Sequence, residues 1–215
     1  LIRMSNSKLI EFVDSYLNIL RKLSKSLSKS DKMRAVIGCL SLHRFGYHNF
    51  TQLATTFDRT IPQIDPEYVA FTSYAAGEIT LHPSQEQSRY VQHLLERCLG
   101  WIRANGKRAK HLAAAQMIKS LALNAGSSIV SFLPQFQTSI WLLLKQRSIL
   151  VLESTAAMIK NLTISVSRYG RSDLDSYLSF HTQLCLRLLS YGSYIRMYGA
   201  LIILEQFVCL SPGFY

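Results

Sequence analysis

Apolar residues recur along this chain with the period of an α-helix. In the segment 90–102, Tyr90, Val91, Leu94, Leu95, Cys98, Leu99 and Ile102 fall at i, i+1, i+4, i+5, i+8, i+9 and i+12. At 3.6 residues per turn these positions form one broad stripe, the mark of a helix with one face in a core. Leu9, Ile10, Val13, Tyr16, Leu17 and Leu20 repeat the pattern, as do Tyr177, Leu178, Leu184, Cys185, Leu188 and Leu189. No segment alternates with the period of two that a half-buried strand requires. The pattern predicts an all-α fold.

Start and stop signals divide the chain into ten predicted helices: 5–24, 31–45, 49–61, 66–81, 84–102, 107–124, 127–144, 147–167, 173–190 and 194–209. Asp65-Pro66-Glu67 reads as a start, because Asp65 can accept from free amides and Pro66 lacks an N–H that the first turn would leave unpaired. Ser84 with Gln87, and Ser172 with Asp175, have the spacing of reciprocal caps. Gly46, Gly126, Gly170 and Gly192 each follow an apolar run, where a left-handed residue can close a helix.

The helices pair. Every second one begins near 31, 66, 107, 147 and 194, so the spacing stays near forty. These second helices carry small residues near the front, as in Ala113-Ala114, Ala156-Ala157 and Gly199-Ala200, and small side chains let neighbouring helices approach closely. Two helices per unit of about forty residues is the signature of HEAT-type repeats. Phe132-Leu133-Pro134-Gln135-Phe136 suits the proline-containing first helix of such a unit. The expected architecture is an α-solenoid of about five antiparallel helix pairs, at 5–45, 49–81, 84–124, 127–167 and 173–209. The last helix is apolar almost throughout, where a complete array would end in a polar cap. Together with a start at Leu1, this predicts a single solenoid segment, 1–215, cut from a longer array.

Composition agrees with a folded chain. Of 215 residues, 48% are apolar and 17% charged, with 11 Tyr, 10 Phe and 2 Trp, which excludes disorder. Only 10 Gly and 5 Pro argue against an all-β sandwich. Cys39, Cys98, Cys185 and Cys209 lie far apart within apolar patterns and read as buried free thiols in a reducing compartment. No stretch approaches eighteen uncharged apolar residues, so no membrane span is expected.

The chemistry of most enzymes is missing from the motifs. Neither Gly-x-Gly-x-x-Gly nor Gly-x-x-x-x-Gly-Lys-Ser/Thr occurs, and neither His-Arg-Asp nor Asp-Phe-Gly, so no phosphate loop or kinase core is readable. The histidines are scattered without metal-ligand spacing. His181, on the apolar stripe of its helix, reads as a hydrogen-bonded core histidine, since no nucleophile motif accompanies it. No catalytic residue, metal ligand or cofactor site is therefore expected.

What remains is charge: 24 Lys plus Arg against 13 Asp plus Glu, a formal +11. Arg21, Lys22, Lys25, Lys29, Lys32 and Arg34 surround the first inter-helix turn, and Arg103, Lys107, Arg108 and Lys110 the turn before the sixth helix. Cations at a helix C-terminus complement its dipole, so these clusters fit a purely structural role, an acidic protein partner or nucleic acid. No aromatic residue is interleaved with either cluster to stack on bases, which counts against nucleic acid.

The segment Val91-Gln92-His93-Leu94-Leu95-Glu96-Arg97-Cys98-Leu99-Gly100-Trp101 resembles the amino-terminal HEAT region of the target-of-rapamycin (TOR) kinases. In that family a similar helix is followed by a basic turn and an Ala-rich helix, as Lys107 to Leu121 follows here. Arg196 to Val208, with Gly199-Ala200-Leu201-Ile202-Ile203-Leu204-Glu205, is also similar; Asp31 to Leu42 is so more weakly, and 43–62 departs from the pattern. The resemblance implies a non-catalytic scaffold segment of a serine/threonine protein kinase in growth and nutrient signalling. It implies partners as well: a regulatory subunit similar to Raptor and the rest of the same solenoid, in a dimeric full-length protein. The implied location is the cytoplasm, peripheral on endomembranes. A HEAT scaffold of another class, such as a nuclear-transport receptor or phosphatase scaffold, and a basic solenoid that grips nucleic acid are the alternatives.

Overall fold

A computed structural model describes residues 6–44, 66–80, 85–104 and 108–210. Among the described residues 91% are helical and none is in a strand, as the apolar periodicity predicts. The predicted helix 49–61, Asp65, Ser84 and Gly46 lie outside them. Nine α-helices are described: α1 Asn6–Lys25, α2 Lys29–Arg44, α3 Pro66–Ile79, α4 Gln85–Arg103, α5 Arg108–Ala122, α6 Leu133–Leu144, α7 Ile149–Tyr169, α8 Leu174–Tyr191 and α9 Tyr194–Leu210. Contacts gather within two compact units, Leu1–Gln63 and Ile64–Tyr215.

In the first unit α1 and α2 form a hairpin. Leu17, Leu20 and Ser24 of α1 are buried, as are Ala35, Val36, Gly38, Cys39, Leu40 and Leu42 of α2. The turn is built from short polar side chains. Ser28 N–H donates to Ser26 Oγ at 3.1 Å, Ser26 Oγ–H donates to Asp31 Oδ2 at 2.8 Å, and Asp31 N–H reaches Ser28 Oγ at 3.4 Å. The last contact has the geometry of an N-cap, and it starts α2 two residues before the expected Asp31.

In the second unit α5 lies between α3 and α7, and α7 between α5 and α9. The hydrogen bonds across this row set its direction. Asn124 Nδ2–H donates to the Gly77 carbonyl at 2.7 Å, Gln116 Nε2–H to Ser154 Oγ at 2.8 Å, and Asn161 Nδ2–H to the Lys119 carbonyl at 2.8 Å, while the Ser165 hydroxyl donates to the Ala122 carbonyl. Partners are 47, 38, 42 and 43 residues apart, so α3, α5 and α7 run parallel, one period out of step. α4 and α6 touch each other in a second row, and α4 packs on α5, α6 on α7 and α8 on α9.

Side-chain size explains the close row. Ala75, Ala76, Ala113, Ala114, Ala115, Ala156 and Ala200 are buried, and Ala157 is half-buried, at the edge of the contact. Gly77 is the tightest approach, since a Cβ there would stand 2.9 Å from the Ser120 carbonyl oxygen of α5. Four buried threonines in the row satisfy themselves, whereas the buried Ser73 hydroxyl of α3 has no partner among the described residues. Thr72, Thr80, Thr155 and Thr163 each donate to the carbonyl four residues back, at 2.9, 3.0, 2.7 and 2.8 Å, so they add packing volume without needing an outside partner. α7 has the length and hydropathy of a membrane span. Its neighbours on several sides account for that hydropathy: Val151, Leu152, Met158, Ile159, Leu162 and Val166 are all fully enclosed.

Three local expectations are corrected. Of the described glycines expected to close helices, Gly126, Gly170 and Gly192, only Gly126 is left-handed (φ 58°), and it opens the 3-10 segment Gly126–Phe132 that occupies the front of the predicted helix 127–144. Gly170 and Gly192 end α7 and α8 with negative φ, −136° and −84°, so neither closes its helix as a left-handed residue. Ser172 and Asp175 make no reciprocal cap. A 3-10 turn, Arg171–Asp173, leads directly into α8, so the backbone enters the helix already coiled and Asp173 at the N-cap makes no side-chain bond.

Candidate functional site

The first basic cluster surrounds one turn, as its spacing predicts. Lys22 and Lys25 lie exposed in the last turn of α1, where they complement the helix dipole. Arg21 Nη1–H donates to Asn18 Oδ1 at 3.1 Å, and Arg34 stands 3.6 Å from Asp31. Lys29 is exposed and Lys32 half-buried at the start of α2. At the tip Leu27 is 99% exposed, surrounded by these cations.

The second cluster sits where α4 hands over to α5. Arg103 ends α4 and Arg108 begins α5, both exposed, with Lys110 half-buried one turn on; Lys107 lies outside the described residues. His111 Nε2 bonds the Ile102 carbonyl at 3.0 Å and ties the two helices together behind them. Two tryptophans stand near this turn, each against a cation outside the cluster. The Arg97 guanidinium lies 5.4 Å from the centre of the Trp101 ring, one turn away on α4. On the neighbouring α6, Lys145 Nζ lies 3.9 Å from the Trp141 ring, followed by exposed Arg147. Trp141, Lys145 and Arg147 are about forty residues from the second cluster in sequence, so linear proximity could not link them. Two signals were available: Trp101 and Trp141 are spaced by one repeat period, and no Asp or Glu occurs between Arg97 and Leu152.

His181 is buried, but not as a hydrogen-bonded residue. Its ring meets Tyr177 edge-on with centroids 4.4 Å apart, Phe180 edge-on at 5.2 Å, and Phe207 of α9 at 6.2 Å, and Nε2 has no partner. Burial away from water holds its pKa down to about 3, so the imidazole is neutral. Tyr177 is enclosed likewise, and burial raises its phenol, with neighbouring Thr163 moderating the rise slightly. The ring contacts of His181 make the group an aromatic seam between α8 and α9. A cavity of about 230 Å³ beside it is lined by Val130, Leu133, Pro134, Gln137, Asp173, Ser176 and Tyr177.

Burial raises the Cys39 and Cys185 thiols to about 12, and raises Cys98 likewise despite the opposing charge of Arg97, so these thiols do not ionise near neutrality. Cys209 corrects the expectation of four buried thiols. It is exposed near the end of α9, on a side that no described helix covers. Among the described residues no three His, Cys, Asp or Glu side chains gather in a metal-binding group. The described surface carries positive turns, two tryptophans under cations, and an apolar outer face on α9. No protein-family model matches this chain, and comparison with curated proteins finds no match.

Proposed function

We propose that the chain is a non-catalytic α-solenoid segment of HEAT type that scaffolds protein–protein interactions, similar in role to the amino-terminal region of a TOR kinase. The observation that carries the solenoid reading is the parallel row α3–α5–α7–α9, in which hydrogen-bonded partners are offset by 38 to 47 residues. A chain whose units touch mainly the next unit along gains its stability from stacked interfaces and offers a long surface made of equivalent positions. Such surfaces bind by shape and charge and need no reacting side chain. The narrower TOR assignment rests on the likeness of 91–121 and 196–208 to that family. In it the chain contributes to complex assembly with a Raptor-like regulatory subunit and with the rest of its own solenoid, in a cytoplasmic protein peripheral on endomembranes.

The test is co-elution of the purified chain with a Raptor-like subunit on a sizing column. A shared peak that disperses at high salt supports the reading. Separate elution at micromolar concentrations removes the TOR-like partner. Magnesium-dependent ATP turnover by the chain, abolished by one substitution within it, ends the non-catalytic reading altogether.

A further inference from the structure

The hairpins of the second unit place three helix-to-helix turns at one end of the rows. α4 ends and α5 begins there, as do α6 and α7, and then α8 and α9. The N-termini of α5, α7 and α9 therefore face the same way, and none carries an acidic residue in its first turn. Each contributes the positive end of a helix dipole. Onto this are added Arg103 and Arg108 at the first turn and Lys145 and Arg147 at the second, all exposed, with no acidic residue between 97 and 152 to offset them. The turn before α7 is also short of acceptors. Ser148, at its N-cap, makes no cap bond, and its Oγ is buried without a partner.

The same end is not purely polar. Trp141 is 37% exposed under Lys145, and Ile149 beside Arg147 is 57% exposed. Tyr191 and Tyr194 flank the third turn, each 90% exposed. Charge alone would suit any polyanion, but this mixture narrows the choice. An aliphatic tip finds no counterpart on a sugar–phosphate strand. At the two turns that carry the cations no ring protrudes for insertion among lipid headgroups, since Trp101 is half-buried and both tryptophans lie against a cation; the exposed Tyr191 and Tyr194 belong to the third turn. An acidic polypeptide with apolar residues between its carboxylates matches both features. Neighbouring helices stand about 8–10 Å apart, the span of about three residues of extended chain, so a carboxylate at every third position meets successive turns.

We infer that this end of the second unit is a docking edge for an extended, acidic segment of a partner protein, with apolar residues between its carboxylates. The inference rests on the scaffold reading and supplies the chemistry of its partner. Carboxylates pair with the exposed cations and cap the free N–H groups of α5 and α7, and the apolar residues lie against Trp141 and Ile149.

The two tryptophans of the chain, Trp101 and Trp141, both belong to this edge, so intrinsic tryptophan fluorescence reports it alone. The experiment titrates the full chain with a soluble peptide repeating Glu-Leu-Ser, following Trp emission and the anisotropy of a label on the peptide. Saturable binding is expected, weakening as salt rises. The double variant K145E/R147E, and separately the neutral K145Q/R147Q, should lose roughly tenfold or more in affinity. R168E/R171E, at the opposite end of α7, should bind as the unchanged chain does. Equal binding by both edge variants, or binding without any change in Trp emission, overturns the inference. Tighter binding of oligothymidylate, or of phosphatidylserine vesicles, than of the peptide overturns it too, in favour of that ligand. Failure here leaves co-elution with a regulatory subunit untouched, so the edge and the scaffold reading can fall separately.

Discussion

Two glycines should respond oppositely to the same substitution. Gly77 lies in α3 and Gly100 in α4, and both are helical. Alanine in place of a helical glycine removes backbone freedom from the unfolded chain and gains about 0.5–1 kcal/mol where nothing obstructs the methyl. At Gly100 nothing lies within 4 Å of the added Cβ, so G100A should stabilise by an amount in that range. At Gly77 the new Cβ would lie 2.9 Å from the Ser120 carbonyl oxygen and 3.3 Å from Asn124 Nδ2. The obstruction is backbone in the last turn of α5, which cannot swing aside as a side-chain end would. Relief requires α3 and α5 to separate, which also lengthens the 2.7 Å bond from Asn124 to the Gly77 carbonyl. Overpacking of this kind costs about 1–3 kcal/mol, more than the entropic gain, leaving G77A less stable by roughly 1–2 kcal/mol. For a unit of this size that is a fall of about 2–6 °C in the melting temperature. Urea unfolding followed by circular dichroism at the helical band measures both variants beside the parent. If G77A is as stable as G100A, α3 does not approach α5 as described and the close-row argument fails.

Three further outcomes follow from particular side chains. His181 is neutral and buried with a pKa near 3, while an unfolded histidine titrates near 6.5, so the unfolded chain takes up the proton first. The stability His181 contributes is therefore complete above about 6.5 and declines as pH falls from there towards 3; H181L should flatten that part of the curve, and an unchanged acid limb would show the ring to be solvated. With an Ellman-type reagent, Cys209 should react at once and Cys39, Cys98 and Cys185 only after denaturation; rapid modification of all four in the native chain would contradict the burial. Finally, Tyr194, Tyr198, Leu201 and Val208 line the uncovered side of α9 at helical spacing, being 90%, 39%, 55% and 44% exposed. The chain should self-associate through them in sedimentation, and L201E should return it to monomer; a monomeric parent at high concentration would mean that this face is tolerated in water.

The apolar period carried the fold class because it is a local property: whether a stripe recurs every 3.6 residues is decided within one helix. For the same reason the ends of α1, α4, α8 and α9 stand within one or two residues of where the pattern placed them. The small residues at 113–114, 156 and 199–200 were legible as contact points because a row of helices needs room at one recurring depth. Other features belong to the tertiary structure alone. That Gly126 begins a 3-10 segment instead of closing a helix depends on the path the chain must take to α6. That His181 lacks a hydrogen bond depends on Phe207, which comes from the next helix. Cys209 sits in an apolar run like the other thiols, yet a helix has an outside, and only its neighbours determine which residues face it. The proposed docking edge shows the division most clearly. The sequence announced Arg103 and Arg108 as a cluster, because neighbours along the chain are visible in one dimension. Trp141, Lys145 and Arg147 joined them only once α6 lay beside α4, because charge adds up through space and the stacking of helices brings together residues forty positions apart.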